Sequence, residues 1–190
     1  MVDLVGEALR LQRFLEARQW RFCFIGGFAV QHWGEPRLTR DLDLSLLTGF
    51  NHEEAFVDAL FEAYAPRIED AKGFALTRRV LLLRSEGGIG IDVSLAALPY
   101  EELAISRSVL VEMLPGAVIR ICSPEDLVIM KMFAGRETDL RDVRSVIVRQ
   151  GSGTLDWRYV EANLADLAEL RDDAELLPNL RRLRKSAESG

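Results

Sequence analysis

The chain has 190 residues, of which 48% are hydrophobic, 28% charged and 8% aromatic. Those proportions suit one globular domain and exclude disordered, collagen-like and disulfide-scaffold chains. Thirty acidic residues against 24 basic ones leave a net charge of -6, which excludes a dedicated DNA-coating role and makes any contact with nucleic acid a local one.

Residues 4–18 space Leu4, Val5, Ala8, Leu11, Phe14 and Leu15 by three and four, which predicts an amphipathic helix. Residues 21–25 predict a strand stopped by Gly26 and Gly27, with a short helix following to Gly34. DLDLSLL at 41–47 alternates strictly and predicts a half-buried strand, with Asp41, Asp43 and Ser45 on one face and three leucines on the other. His52 to Tyr64 predicts a second helix, and residues 74–84 and 88–95 predict two strands joined by a glycine turn. Pro99 opens a helix to Ser106, and strand material lies on both sides of Pro115 and Gly116. Ser123, Pro124 and Asp126 form a helix start, after which residues 138–150, 156–171 and 174–187 predict three more helices. The expected class is α+β, a mixed sheet flanked by helices. Residues 1–122 are read as the core and 123–190 as a short C-terminal helical segment packed on it.

No window approaches the roughly 18 apolar residues of a membrane-spanning helix, and the amino terminus lacks the apolar run of a signal peptide. Cys23 and Cys122 sit in apolar runs without metal-ligand spacing, so they read as buried thiols in a reducing compartment. The expected location is cytoplasmic, with no membrane partner. His32 and His52 lack partners at ligand spacing and read as helix-surface residues. Trp33, Trp157 and Tyr159 read as packing residues, and Arg181, Arg182, Arg184 and Lys185 as a solvated end.

Alternation along a strand puts Asp41 and Asp43 on one face with carboxylates roughly 6–7 Å apart. Hard divalent cations take oxygen ligands and share their shell with water and phosphates, so such a pair is a platform for them. Asp92, in IGIDVSLA, alternates in the same way. Aspartate is disfavoured in strands; one alone would simply solvate an exposed sheet face, whereas three behind a glycine pair point to chemistry. Gly26 and Gly27, where a strand feeds a helix, would offer backbone N–H groups to an anion at the positive end of the helix dipole. The basic, hydroxyl-bearing loop of Arg37, Thr39 and Arg40 precedes the carboxylates. Lys131 is read near the start of its helix with Asp142 on the same face if that helix continues. Spacing leaves it open between a phosphate contact and a solvated helix in which Arg136 with Asp139, and Arg141 with Asp139 and Asp142, make local ion pairs.

GGFAVQHWGEPRLTRDLDL resembles the first motif of the polymerase-β-like nucleotidyltransferases, and within them the AbiEii type. The layout of that type is met by Gly26, Gly27, Ala29, Gly34, Arg37, Thr39, Arg40, Asp41 and Asp43, its third carboxylate by Asp92, and its downstream motif by Lys131, Arg136, Asp139 and Asp142. The resemblance implies a nucleotidyltransferase fold and magnesium-dependent transfer of a nucleoside monophosphate from a nucleoside triphosphate to an acceptor hydroxyl. It assigns Asp41, Asp43 and Asp92 to a two-ion Mg2+ site, with Mn2+ as a substitute. Gly26, Gly27, Arg37, Thr39 and Arg40 are assigned to the nucleotide, Lys131 to phosphate charge, and Arg136, Asp139 and Asp142 to its support, the two aspartates either touching substrate or orienting the helix. The acceptor stays open among tRNA or other RNA, protein and a small molecule, and a toxin-like role with a cognate antitoxin belongs to the same resemblance. Two other readings stand beside it: a catalytically silent binding or regulatory module of this fold, and a small-molecule transferase of the antibiotic-modifying kind.

Overall fold

A computed structural model describes residues 3–151 and 153–188. The chain divides into two compact units, one holding the residues up to Phe28 with Leu38–Cys122, the other Ala29–Arg37 with the residues from Ser123 onward.

The first unit carries the sheet. Helix α1 (Leu4–Ala17) is capped by Asp3, whose carboxylate accepts the Gly6 N–H, and buries Ala8, Leu11 and Leu15. Strand β1 (Phe22–Ile25) runs directly into helix α2 (Gly26–Trp33), whose later residues belong to the second unit. There follow β2 (Asp41–Leu47), α3 (Glu53–Phe61), the two-residue β3 (Ala65–Pro66), α4 (Ala71–Arg78), β4 (Val80–Arg84), β5 (Gly90–Ala96), α5 (Pro99–Ser106), β6 (Val109–Leu114) and β7 (Ala117–Ile121).

The seven strands form one mixed sheet in the order β3-β4-β5-β2-β1-β7-β6. The β2–β5 and β1–β7 pairs are parallel and the others antiparallel. Phe22, Phe24, Leu42, Leu44, Leu46, Ile91 and Val93 are buried, so the strict alternation of β2 is set by one fully covered face. Buried Gln12 of α1 has both ends of its amide used, donating to the Val118 carbonyl at 3.2 Å and accepting the Arg120 N–H at 2.8 Å. Cys23 and Cys122 are free and buried.

Residues 74–78, expected as strand, are helical. Asp70 caps α4 by accepting the Gly73 N–H, and Arg79 closes it in the left-handed conformation with its own N–H on Ala75. Strand β4 therefore begins only at Val80, and its hairpin with β5 is the expected one.

The second unit is helical: α6 (Pro124–Ala134), α7 (Glu137–Gln150), α8 (Trp157–Arg171) and α9 (Leu176–Glu188). Ser123 Oγ accepts the Asp126 N–H at 3.1 Å and donates to Asp126 Oδ2 at 2.6 Å, while the Tyr159 hydroxyl donates to Oδ1 at 2.7 Å. That leaves the fully buried Asp126 hydrogen-bonded at both oxygens. Leu127, Val128, Val143, Val146, Val160, Leu164 and Leu180 are buried within this unit. Gly34 approaches α7 so closely that an added Cβ would stand 2.5 Å from Ser145 Oγ. The Gly34 carbonyl accepts from Arg149 at 2.5 Å, and the Trp33 carbonyl from Gln150 at 2.8 Å. Arg181, Arg182 and Arg184 pair with Glu161, Glu175 and Glu188. Among the described residues, no helix is long and apolar enough to cross a membrane.

Candidate active site

The parallel β2–β5 pair places Asp43 opposite Asp92 and Asp41 opposite Gly90. Directly opposed residues in a parallel pair share a sheet face, and Asp41 lies two residues along β2 on that same face. Three aspartates from sequence positions about fifty residues apart thus share one sheet face near the amino-terminal ends of two central strands. Asp41 is exposed, Asp43 and Asp92 are half-buried, and the leucines between them are covered.

The backbone beside Asp43 is made to fit it. Gly26 has φ +62, and a Cβ there would overlap the Asp43 carboxylate, so glycine is required both for conformation and for space. The Gly27 N–H donates to Asp43 Oδ2 at 3.2 Å. One of the amides expected to cradle an anion is therefore already turned toward a carboxylate oxygen.

Arg67, absent from the residues singled out by motif, joins the group. Its guanidinium bonds Asp92 Oδ1 and lies 3.9 Å from Asp41 Oδ1. Gly90 makes room for this bridge, because a Cβ at that position would run into Asp41 Oδ1 and the guanidinium. Burial pushes the Asp92 carboxyl above its ordinary range; Arg67 works against that rise and the charge of Asp41 adds to it. Thr39 Oγ1 donates to the Asp41 carbonyl at 3.3 Å, and Arg40 is exposed.

The remaining predicted residues gather in the second unit. Lys131 Nζ lies 2.7 Å from Asp139 Oδ1 and 2.9 Å from Asp142 Oδ2, with side-chain exposures of 7%, 1% and 5%. Arg37 grips Asp142 through two bonds of 2.8 and 2.9 Å, and Arg136 holds Asp139 from the other side at 2.6 Å. Lys131 stands in the last turn of α6, not near its start, because Gly135 in the left-handed conformation ends the helix. Asp142 therefore meets Lys131 from α7 across a turn, not along one helix face.

Burial alone would raise Asp139 and Asp142. The hydrogen bonds from Arg136 and Lys131 to the first, and from Arg37 and Lys131 to the second, outweigh it and hold both carboxyls below the ordinary range. A folded-state value below the unfolded one stabilises the fold fully above the unfolded pKa of about 3.9, and that stability is lost as the pH falls through the folded values. Acid titration followed by far-UV circular dichroism is expected to show constant stability down to about pH 5 and loss below about pH 4. Loss centred near pH 6 would place the acid sensitivity in other groups.

A family model described as nucleotidyl transferase AbiEii toxin, type IV toxin–antitoxin system, matches residues 11–150. The chain belongs to the AbiEii nucleotidyl transferase family. Membership makes this AbiEii chain a transferase of nucleotidyl groups. No curated protein matches it significantly.

Solved structures share the fold of this AbiEii protein. An antigenic nucleotidyltransferase-like protein from Paracoccidioides brasiliensis is 18% identical, with a TM-score of 0.54 over 96% of this chain and 92% of that one. The antibiotic-resistance factor ANT(2'')-Ia is 17% identical, with a TM-score of 0.53 over 94% and 95%. The lincosamide antibiotic adenylyltransferase LnuA, in a lincomycin-bound structure, is 14% identical, with a TM-score of 0.52 over 74% and 94%. The expected nucleotidyltransferase fold is present.

Whether the AbiEii carboxylates suit a divalent cation turns on donor chemistry. Among the described residues, no three His, Cys, Asp or Glu side chains converge as a ready metal cage. Magnesium seldom uses such cages; it is held by one or two carboxylates and completes its octahedron with water and substrate phosphates. Asp41, Asp43 and Asp92 supply hard oxygen donors of that kind on a rigid sheet, and they fit.

Proposed function

We propose that this AbiEii-family protein moves a nucleoside monophosphate from a nucleoside triphosphate to an acceptor hydroxyl at the face shared by Asp41, Asp43 and Asp92, with magnesium as its divalent cation. The observation that carries this reading is the register of Asp43 against Asp92 on parallel strands, with Asp41 at the next outward position of β2. Those three side chains would hold the cation, which when bound neutralises triphosphate charge and makes an acceptor hydroxyl more acidic.

The protein's own groups supply the rest. Gly26 offers its amide at the start of α2 to the β- and γ-phosphates, Gly27 orients Asp43 through its N–H, and Thr39 and Arg40 add a hydroxyl and a charge beside β2. Asp92 takes the acceptor proton on a carboxylate oxygen. The acceptor oxygen then bonds to the α-phosphorus, the bond from that phosphorus to the bridging oxygen of the β-phosphate breaks, and pyrophosphate leaves with the electron pair. Arg37, Lys131 and Arg136 are spent on Asp139 and Asp142 within the second unit and are given no step in the transfer.

For the acceptor, the net charge of -6 favours a small molecule or a protein over a long polynucleotide. ANT(2'')-Ia has been solved with adenylyl-2''-tobramycin, an example of small-molecule modification on the shared fold. The type IV toxin–antitoxin description of the family supports a cognate antitoxin as a protein partner and a cytoplasmic setting.

The test is incubation of the protein with each of four α-labelled nucleoside triphosphates, with Mg2+ or with EDTA, and with RNA, protein and small-molecule fractions as acceptors. Label entering one fraction with release of pyrophosphate, and only with Mg2+, is the expected result. Nucleotide binding that ignores Mg2+, with no label moved, would replace this reading with a silent binding module.

A further inference from the structure

Arg67 is the cation that motif reading did not supply, and its placement is specific. It follows Pro66 at the end of the short edge strand β3, and its backbone N–H is fixed on the Leu82 carbonyl at 2.9 Å. From there its side chain, only 23% exposed, reaches Asp92 and Asp41 together. The bare Cα of Gly90 leaves the space through which the two groups meet. Three carboxylates on one sheet face repel one another, and a guanidinium between two of them offsets that repulsion.

We infer that Arg67 is a built-in counter-ion that competes with the divalent cation for Asp41 and Asp92, so that loading the site requires the guanidinium to let go. The inference rests on the carboxylate site proposed above. A second cation arriving at Asp92 Oδ1 or Asp41 Oδ1 meets the fixed positive charge within a few ångströms, a like-charge contact in a partly desolvated place. By linkage, whatever Arg67 contributes to holding the carboxylates together without metal is subtracted from the affinity for metal. Arg67 is thus a positioning residue that keeps the carboxylates assembled and sets how much cation is needed to load them.

The experiment is titration of the full chain with Mn2+, followed by the electron paramagnetic resonance signal of the free ion, for the wild type, Arg67→Gln and Arg67→Lys. Arg67→Gln is expected to lower the Kd for Mn2+ about five- to ten-fold. Arg67→Lys, whose point charge cannot bridge two carboxylates, is expected to fall between. The thermal midpoint of Arg67→Gln should rise more on adding Mg2+ than that of the wild type. Equal Kd values in all three proteins would overturn the competition while leaving the metal site standing. Absence of Mn2+ binding in all three would overturn the metal site and the competition with it. If Arg67→Gln does not fold, the comparison of Arg67→Lys with the wild type decides, an unchanged Kd counting against the inference.

Discussion

Asp43→Asn is expected to reduce nucleotidyl transfer by about 10²–10³-fold, the usual cost of removing one preorganised electrostatic group from a site that stabilises developing charge. The substitution is chosen because it spares the fold. Asp43 accepts the Gly27 N–H through Oδ2, and an asparagine side-chain oxygen accepts the same bond. The shape is unchanged, so the close approach of Gly26 is undisturbed. What disappears is one negative charge beside Asp92. Single-turnover transfer with α-labelled nucleotide, read beside the thermal midpoint, separates the two effects. Full activity in a folded Asp43→Asn protein would remove this carboxylate from the chemistry.

Lys131→Met carries the largest expected effect on stability. Methionine nearly matches the apolar stem of lysine but leaves Asp139 and Asp142, both almost wholly buried, short of the cation they share. Breaking a buried pair from one side costs about 3–5 kcal/mol, which for a chain of this size lowers the thermal midpoint by about 6–20 °C. Adding Asp139→Asn and Asp142→Asn to Lys131→Met should recover part of that loss, since the stranded charges go with it. An unchanged midpoint combined with a raised KM for nucleotide would instead show the lysine charge to be spent on phosphate.

These two residues also show where sequence stops being informative. Strand β2 was readable to its ends, Asp41–Leu47, because one face is wholly buried and the period of two has no competing interpretation. The Ser123–Pro124 start of α6 was equally readable, since a cap is a local event. The register that sets Asp43 against Asp92 is a pairing across fifty residues, and nothing local encodes it; the two aspartates could be listed from the sequence but not placed opposite one another.

Helix α4 was missed because FALTRRVLLLR has no clean period and ends its helix at Arg79, a non-glycine residue in the left-handed conformation. Lys131 and Asp142 share a face only in a helix that runs on through Gly135, and that glycine in the left-handed conformation stops α6 instead. Arg67 belongs to no spacing pattern. Only the surplus of negative charge on one sheet face could have pointed to it, and then without saying which arginine answers.

The short stretch Ala29–Arg37 groups with residues that lie beyond Ser123, and the carbonyls of Trp33 and Gly34 are satisfied by Gln150 and Arg149. During synthesis the residues through Cys122 leave the ribosome with every strand of the sheet already present, while this early stretch waits for more than a hundred further residues before its hydrogen bonds can close. A nascent chain halted ahead of α7 would hold all three carboxylates yet leave the Trp33 and Gly34 carbonyls without their native donors. Closure of the helical unit is therefore tied to translation of α7, long after its own first residues have been made.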